Sequence, residues 1–210
     1  EGAFDVSHWP CDPQDYAVPA PDASTAFAPC PPKLGLYAVL PDADWVARMV
    51  QLEVPTVQLR FKSDDSKAIE QQVKSAVQAV QGSHTLLFIN DHWRQAIDTG
   101  AYGVHLGQED MSEAPLQTIR AGGLRLGLSS HGYAEMLRAN QVQPSYLALG
   151  AVFPTTLKRM ETAPQGLGRF TQYVRLMQHT PLVAIGGIDL HSLPAAVSYT
   201  HLRAHETVLD

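Results

Sequence analysis

Cysteine, long apolar runs and targeting signals are what this sequence lacks most clearly. Its 210 residues contain two cysteines, Cys11 and Cys30, and none follows them. Such a distribution is typical of proteins of the reducing cytoplasm, although a disulfide between the two remains open. No apolar run approaches the roughly 20 residues of a membrane helix, and no segment has the basic, apolar and small-residue order of a secretory signal. We therefore expect a cytoplasmic protein with no membrane partner.

An excess of positive charge is also missing. The chain has 15 Lys and Arg against 21 Asp and Glu, a formal net charge of −6, which does not favour a nucleic-acid partner. The imbalance is greatest in residues 1–32, which hold five acidic residues, no basic residue and seven of the 15 prolines. This acidic, Pro-rich and unperiodic composition predicts a disordered extension over residues 1–32.

From residue 33 onward, short β-rich runs alternate with helix-like stretches. Strand followed by helix, repeated, predicts parallel strands with right-handed crossovers, and seven such units with short loops favour an α/β fold, the (β/α)8 TIM barrel, over residues 33–197. A doubly wound sheet stays open, although no GxGxxG follows the first strand. The predicted strands are 34–40, 56–62, 85–91, 102–107, 124–130, 146–153 and 181–187. The predicted helices are 44–53, 66–80, 92–100, 113–121, 133–140, 167–178 and 189–197.

The eighth unit of such a barrel is not recognisable. After Ala196 the chain reads VSYTHLRAHETVLD, which has no apolar strand-like run and no glycine. A barrel needs its closing strand, because otherwise two strand edges stay unpaired. We therefore expect a barrel that is incomplete at its eighth unit, and a non-native tail over residues 198–210.

Polar and charged side chains follow the predicted strands at their carboxyl ends, where barrels of this kind carry their active sites. In TVQLRFK, the residues Gln58, Arg60 and Lys62 fall at every second position and should therefore share one face of the strand. Similar groups follow at least four further strands. These are Asn90, Asp91, Gln108, Glu109, Asp110, Ser129, Ser130, His131, Thr155, Thr156, Lys158, Gly186 and Gly187.

Cations and carboxylates in one place indicate an anionic ligand held with a metal. Two carboxylates, Asp91 and Asp110, suit Mg2+, which takes oxygen ligands and usually keeps phosphate and water in its shell. The pair Gly186-Gly187 lies at a predicted strand-to-helix turn, where backbone N–H groups can cradle a phosphate. Together with Arg60 and Lys62, these residues predict a pyrophosphate site.

Several of these residues also have a simpler interpretation. Asp91 is placed where a helix N-cap is common, and Arg60 could pair with an internal carboxylate. His105 lies within a predicted strand, which favours a satisfied structural group over a catalytic base. Ser129 and His131 do not form a nucleophile elbow, because no GxSxG surrounds them.

Five stretches of the sequence resemble one known family. They are QLRFK, FINDHWRQAIDTGAYGVHLGQEDM, GLSSHG, YLALGAVFPTTLK and VAIGG, and between Leu34 and Ala196 they resemble the thiamine phosphate synthases. The stretches LGLY, FINDHWR and APQGL resemble the proteobacterial type. The resemblance implies a (β/α)8 barrel transferase of thiamine biosynthesis. Such an enzyme condenses 4-amino-2-methyl-5-(diphosphooxymethyl)pyrimidine with thiazole phosphate and releases pyrophosphate, so its partners are small molecules.

The resemblance also implies roles for individual residues. Asp91 and Asp110 would hold the cofactor Mg2+. The substrate-binding set would be Gln58, Arg60, Lys62, Asn90, Ser129, Thr155, Thr156, Leu157, Lys158 and Gly187. The catalytic set would be Arg60, Lys62, Ser129 and Lys158, which stabilise the departing pyrophosphate and approach the pyrimidine.

Two departures from the family pattern keep alternatives open. Leu157 stands where the family typically has a second threonine, and the eighth strand lacks its Val-Ser phosphate contact. One alternative is a related thiazole tautomerase, which handles the same thiazole phosphate without the diphosphate partner. The other is a catalytically inactive phosphate-binding barrel with a damaged C-terminus. The oligomeric state also stays open, a homo-oligomer included.

Overall fold

The computed structural model describes residues 22–155, 163–177, 179–189, 191–194 and 208–209. Three predicted site residues, Thr156, Leu157 and Lys158, lie outside the described residues. The same is true of Cys11 with the rest of residues 1–21, and of most of the predicted tail.

Strands and helices alternate along the described chain as the sequence predicts. A short 3-10 helix, Ala23–Thr25, precedes them. The strands are β1 (Tyr37–Leu40), β2 (Thr56–Leu59), β3 (Leu86–Asn90), β4 (Gly103–Leu106), β5 (Arg125–Ser130), β6 (Tyr146–Leu149), β7 (Leu182–Ala184) and β8 (Val208–Leu209). The helices are α1 (Ala43–Gln51), α2 (Ser66–Val80), α3 (Trp93–Thr99), α4 (Gln108–Glu113), α5 (Leu116–Ala121), α6 (Tyr133–Gln141) and α7 (Gly166–Leu176).

All eight strands run parallel in one sheet, in the order β7-β6-β5-β4-β3-β2-β1-β8. Each strand from β1 to β7 therefore lies beside its neighbour in sequence, which is the arrangement of a (β/α) barrel. In the described part of the chain, no pairing joins β7 to β8. The prediction of a (β/α)8 barrel that is incomplete at its eighth unit is confirmed.

The eighth strand differs in one respect from expectation. The sequence analysis finds no strand after Ala196, yet Val208 and Leu209 pair with Tyr37 and Ala38 of β1. Val208-Leu209 is the one pair of adjacent apolar residues after Val197, which suits these two residues to a strand position. That the tail is non-native stays a prediction.

Two apolar clusters hold the barrel together. The larger lies between the strands and the helices, and residues such as Val46, Val73 and Leu126, all 0% exposed, belong to it. The smaller fills the barrel interior and contains Tyr37, Phe88 and Tyr146. The Tyr146 ring fits because β5 carries a glycine beside it: a Cβ at Gly127 would lie 2.1 Å from Tyr146 Cζ.

The segment before β1 packs against the barrel instead of standing apart from it. Phe27 and Cys30 are buried, the Phe27 amide donates to Gln143 O at 3.0 Å, and Ser145 Oγ donates to Ala28 O at 2.6 Å. The expected disorder of residues 1–32 is therefore wrong for residues 22–32. Composition did not reveal this, because the apolar surface that buries Phe27 belongs to the barrel.

Helix α2 begins and ends where the sequence predicts. Asp65 accepts a hydrogen bond from Lys67 N at 2.9 Å as its N-cap, and Gly82 follows the helix with a φ of +76°. Helix α4 is a correction, because no helix is predicted from the sequence between residues 100 and 113. Within the described ranges, none of the helices combines the length and the apolar character that crossing a bilayer would require.

Candidate active site

A cavity of about 410 Å³ opens at the carboxyl ends of the strands, where the sequence analysis expects the ligand. Its lining includes most of the predicted site residues. These are Gln58, Arg60, Lys62, Asn90, Asp91, Asp110, Ser129 and Thr155. Residues that are far apart in sequence therefore converge, because each follows a different strand of the same parallel sheet.

The β2 side of the cavity carries the two cations. Strand β2 ends at Leu59, and Arg60 extends the ladder by one bond, from its amide to Leu40 O at 2.8 Å. The Lys62 ammonium lies 2.8 Å from Asp91 Oδ2, with side-chain exposures of 60% and 23%. An ion pair with so exposed a lysine contributes little to the stability of the fold. A ligand that breaks this pair to bind Lys62 or Asp91 would therefore lose little free energy.

Asp91 has an unusual backbone conformation. Its φ is +62°, a left-handed value that is uncommon outside glycine and that occurs often at functional sites. Its amide donates to His105 O at 3.0 Å, and its carboxylate accepts from Asn90 Nδ2 at 2.5 Å. The simpler interpretation as a helix cap does not hold, because His92 occupies the N-cap position of α3.

Asp110 lies in the first turn of α4, close to Asp91. Burial raises the pKa of the Asp110 carboxyl, and the neighbouring Asp91 carboxylate raises it further, while Lys62 and the Gly107 amide act in the opposite direction. A buried carboxyl beside a second carboxylate forms a site that a divalent cation would stabilise. No group of three or more His, Cys, Asp or Glu that could hold a metal occurs among the described residues.

Beneath the cavity lies a hydrogen-bonded set of five side chains, which we call the floor network: Gln58, Tyr37, Tyr146, His105 and Ser129. Gln58 Nε2 donates to the Tyr37 hydroxyl at 2.9 Å, which lies 2.6 Å from the Tyr146 hydroxyl. That hydroxyl is 2.6 Å from His105 Nδ1, and His105 Nε2 is 2.8 Å from Ser129 Oγ. Both ring nitrogens of His105 are thus hydrogen-bonded, as expected of a structural group, and His105 also lines the cavity.

The side of the cavity opposite to β2 is lined by uncharged residues in the described part of the chain, among them Thr155, Ile185 and Gly186. Gly187 has a φ of +67°, and a Cβ there would lie 2.3 Å from Pro154 O. The neighbouring Gly186 lines the cavity, and its carbonyl accepts from the Phe153 amide at 3.0 Å. Gly187 itself is not among the lining residues, so any contact to a ligand there would come from the backbone around it.

Comparison with known proteins identifies the family. A model described as thiamine monophosphate synthase matches residues 36–203. The chain belongs to the thiamine monophosphate synthase family. It is similar to the thiamine-phosphate synthase of Neisseria meningitidis serogroup A, with 56% identity over 172 residues, 82% of this chain and 84% of the relative. The thiamine-phosphate synthase of Escherichia coli O6:H1 is 46% identical over 172 residues, 82% of each chain.

A solved structure agrees with the barrel fold. The thiamine phosphate pyrophosphorylase from Pyrococcus furiosus is 24% identical, covers 84% of this chain and 85% of its own, and has a TM-score of 0.68. At this identity the likeness concerns the fold. The predicted membership of the thiamine phosphate synthases, and the likeness to their proteobacterial members, are confirmed by the curated relatives.

The motif residues of a thiamine monophosphate synthase were recognisable in sequence, but the floor network was not. Tyr37 and Tyr146 lie 109 positions apart, and their contact depends on the register of the whole sheet. One signal was present: Tyr37 and Val39 alternate along β1, as residues that face the barrel interior do. The partner of Ser129 was also not predicted: it is His105, whereas His131 bonds to Glu135, in agreement with the absence of a Ser129–His131 nucleophile.

Proposed function

We propose that this protein condenses 4-amino-2-methyl-5-(diphosphooxymethyl)pyrimidine with thiazole phosphate to give thiamine phosphate and pyrophosphate. One observation carries the proposal. In a member of the thiamine monophosphate synthase family, Arg60, Lys62, Asn90, Asp91 and Asp110 converge on one cavity at the carboxyl ends of the strands. Such a set of cations, amide and carboxylates suits a diphosphate.

The reaction needs a stabilised leaving group and no protein nucleophile. The C–O bond between the pyrimidine methylene and the diphosphate breaks, and both electrons leave with pyrophosphate. The resulting pyrimidinyl-methyl cation is stabilised by the ring amino group, and the thiazole nitrogen then forms the new C–N bond. Arg60 and Lys62 face the negative charge that develops on pyrophosphate, in a position fixed before the reaction starts. That Lys158 also stabilises the negative charge on pyrophosphate stays a prediction.

The residues present fit Mg2+ as cofactor. Asp91 and Asp110 would hold it, because burial and mutual repulsion already raise the pKa of Asp110 and a cation would relieve both. Two protein carboxylates are typical of Mg2+ sites that are completed by water and substrate phosphate. When bound, the ion neutralises charge on the leaving diphosphate.

The substrates divide between the two sides of the cavity in this proposal. The pyrimidine diphosphate lies against Gln58, Arg60, Lys62, Asn90 and Ser129. The thiazole phosphate lies on the glycine side, near Thr155 and Gly187, where backbone N–H groups favour a phosphate. A contribution from Thr156, Leu157 and Lys158 stays a prediction, as do the cytoplasmic location and a homo-oligomer.

The decisive experiment mixes the purified chain with both substrates and Mg2+ and follows thiamine phosphate and pyrophosphate together. Equal amounts of both products support the proposal. Binding of pyrophosphate without thiamine phosphate would instead indicate the inactive phosphate-binding barrel. Isomerisation of the thiazole phosphate, with the pyrimidine diphosphate unused, would indicate the tautomerase.

A further inference from the structure

Helix α4 carries Asp110 but has little apolar packing to hold it in place. It is six residues long, and none of its residues is buried, although Met111 is partly buried against the core. A helix of this length does not persist on its own in water. The position of α4, and of Asp110 with it, therefore depends on the contacts that hold the helix to the sheet.

One side-chain hydrogen bond joins the start of α4 to the end of β5. Gln108 Nε2 donates to the carbonyl oxygen of Ser129 at 2.6 Å. The amide nitrogen must face Ser129, because a backbone carbonyl can only accept. Gln108 Oε1 is buried and has no hydrogen-bond partner among the described residues. The bond to Ser129 is therefore the one hydrogen bond that the Gln108 side chain makes in the described part of the chain.

The Asp110 carboxylate is fixed to the same end of the helix. It accepts a hydrogen bond from the Gly107 amide, and a Cβ at Gly107 would lie 3.1 Å from Asp110 Oδ2. Gly107 is the N-cap of α4 and immediately precedes Gln108. The carboxylate and the bond to Ser129 thus belong to one turn, and a shift of that turn moves both.

Ser129 is itself held by the sheet. Its strand β5 pairs with β4 on one side and with β6 on the other, and its hydroxyl lies 2.8 Å from His105 Nε2. Gln108 therefore attaches a sparsely packed helix to a strand that is fixed on both sides.

We propose that Gln108 is a positioning residue for Asp110, and that its bond to Ser129 holds this carboxylate where it can share a divalent cation with Asp91. The inference rests on the proposed function, in which Mg2+ is the ion at this site. Gln108 does not line the cavity, so it acts through α4 and not on a ligand.

The same bond fixes the metal side of the cavity relative to the end of β5. In the proposed reaction, the C–O bond that breaks joins a diphosphate at the metal to a pyrimidine beside Ser129. A misplacement of about 1 Å between reacting groups can lower a rate about 100-fold. A direct link between Ser129 and the helix that carries Asp110 meets this requirement.

The test removes the bond and keeps the length of the side chain. Gln108→Met has no donor, and it breaks no second hydrogen bond because Oε1 has no partner among the described residues. The probe is Mn2+ alone, which prefers the same oxygen ligands as Mg2+, with the free ion followed by electron paramagnetic resonance. We expect an affinity about tenfold weaker than that of the wild type, as when other supports of metal ligands are lost. An unchanged affinity would overturn the proposal.

The matched control is Gln72→Met. Gln72 Oε1 accepts from the Ala43 amide at 2.7 Å, so this variant also loses one bond between a side-chain amide and the backbone of another element. The bond joins α2 to α1, and neither residue lines the cavity. We expect a similar loss of Tm in both variants and a loss of Mn2+ affinity in Gln108→Met alone. Equal losses of Mn2+ affinity would reduce Gln108 to a merely structural role and overturn the proposal.

A second measurement needs no variant. Coupling between two events is reciprocal, so a bond that strengthens metal binding about tenfold must itself be strengthened about tenfold by the metal. Nitrogen-15 NMR of the wild-type chain should therefore show that Mg2+ alone slows hydrogen exchange of the Gln108 side-chain amide about tenfold. Exchange that Mg2+ leaves unchanged would overturn the proposal even if Gln108→Met failed to fold.

None of these measurements uses a substrate. Failure to form thiamine phosphate, with the Mn2+ affinities and the Gln108 exchange as expected, would contradict the proposed function and leave the role of Gln108 as described. Normal turnover, with equal Mn2+ affinity in Gln108→Met and the wild type, would do the reverse.

Discussion

The two sides of the cavity differ in the kind of residue that lines them. On the side of β2, β3 and α4, the lining consists of ionised side chains, among them Arg60, Asp91 and Asp110. On the side of β7, the lining found among the described residues is uncharged and includes Thr155 and Gly186, and Gly187 packs against residues 153–154. Charge is needed where negative charge grows during a reaction, whereas backbone N–H groups suffice to hold a phosphate that does not react. In the proposed function, the leaving diphosphate would therefore lie on the first side and the spectator phosphate on the second.

The largest loss of activity should follow the removal of one carboxylate from the charged side of the cavity. We expect Asp91→Ala to lower kcat by about 10³-fold or more, because the charge that completes the Mg2+ site is lost. The measurement is pyrophosphate release at saturating substrates. Asp98→Ala, at an exposed position of α3, is the control and should be unaffected. An unchanged rate in Asp91→Ala would exclude the assigned metal site.

Arg60 should have the next largest effect. Arg60→Ala should lower kcat by about 10²- to 10³-fold and weaken the binding of inorganic pyrophosphate, because a cation aimed at the leaving group disappears. Arg94→Ala provides the control, since Arg94 is exposed and stacks on Trp93. Pyrophosphate binding that is equally strong in both variants would remove Arg60 from the diphosphate side.

Substitution of Gly187 should lower the stability of the fold and weaken the binding of only one substrate, thiazole phosphate. In Gly187→Ala, the new Cβ meets Pro154 O at 2.3 Å in a left-handed conformation, which should cost about 1–3 kcal/mol of folding free energy. The KM for thiazole phosphate should rise, while pyrophosphate binding should persist. Gly82→Ala has a similar φ of +76° with open space around its Cβ and should cost less. Equal losses of Tm in the two variants would contradict the close approach at Gly187.

The smallest effect concerns stability and pH. Because the pKa of Asp110 is raised above 3.8 in the folded state, ionising this carboxyl destabilises the fold. That destabilisation is absent below about pH 3.8, develops as the pH rises through the raised pKa, and persists at neutral pH. Asp110→Asn, measured with a chelator present, should therefore raise Tm at pH 7 by about 1–3 °C.

The same substitution should bring no gain in Tm at pH 3.5, where the wild-type carboxyl is already protonated. Asp98→Asn should show neither effect. A lower Tm for Asp110→Asn at pH 7 would mean that the Asp110 carboxylate stabilises the fold in the absence of metal.

Local sequence patterns predicted the fold of this protein well. Alternation of strands and helices is sufficient to predict the barrel, and the barrel brings strand ends such as Asn90 and Ser129 to one cavity. Helix α4 was missed because six residues without an apolar stripe give no helical period. The floor network was missed for a different reason: its contacts join residues of β1, β2, β4, β5 and β6, and no short stretch of sequence records which residues face each other across a barrel interior.

The short eighth strand gives the barrel a weak point in its ladder. In the described part of the chain, β8 pairs with two residues of β1, whereas β2 pairs with four residues of β1 on the other side. Backbone amides open most easily where few neighbours hold them. Amide hydrogens should therefore exchange with deuterium in a gradient around the barrel, slowest in β3 and β4 and fastest along the edge that β8 covers, so that unravelling begins at that edge while the charged side of the cavity is still intact.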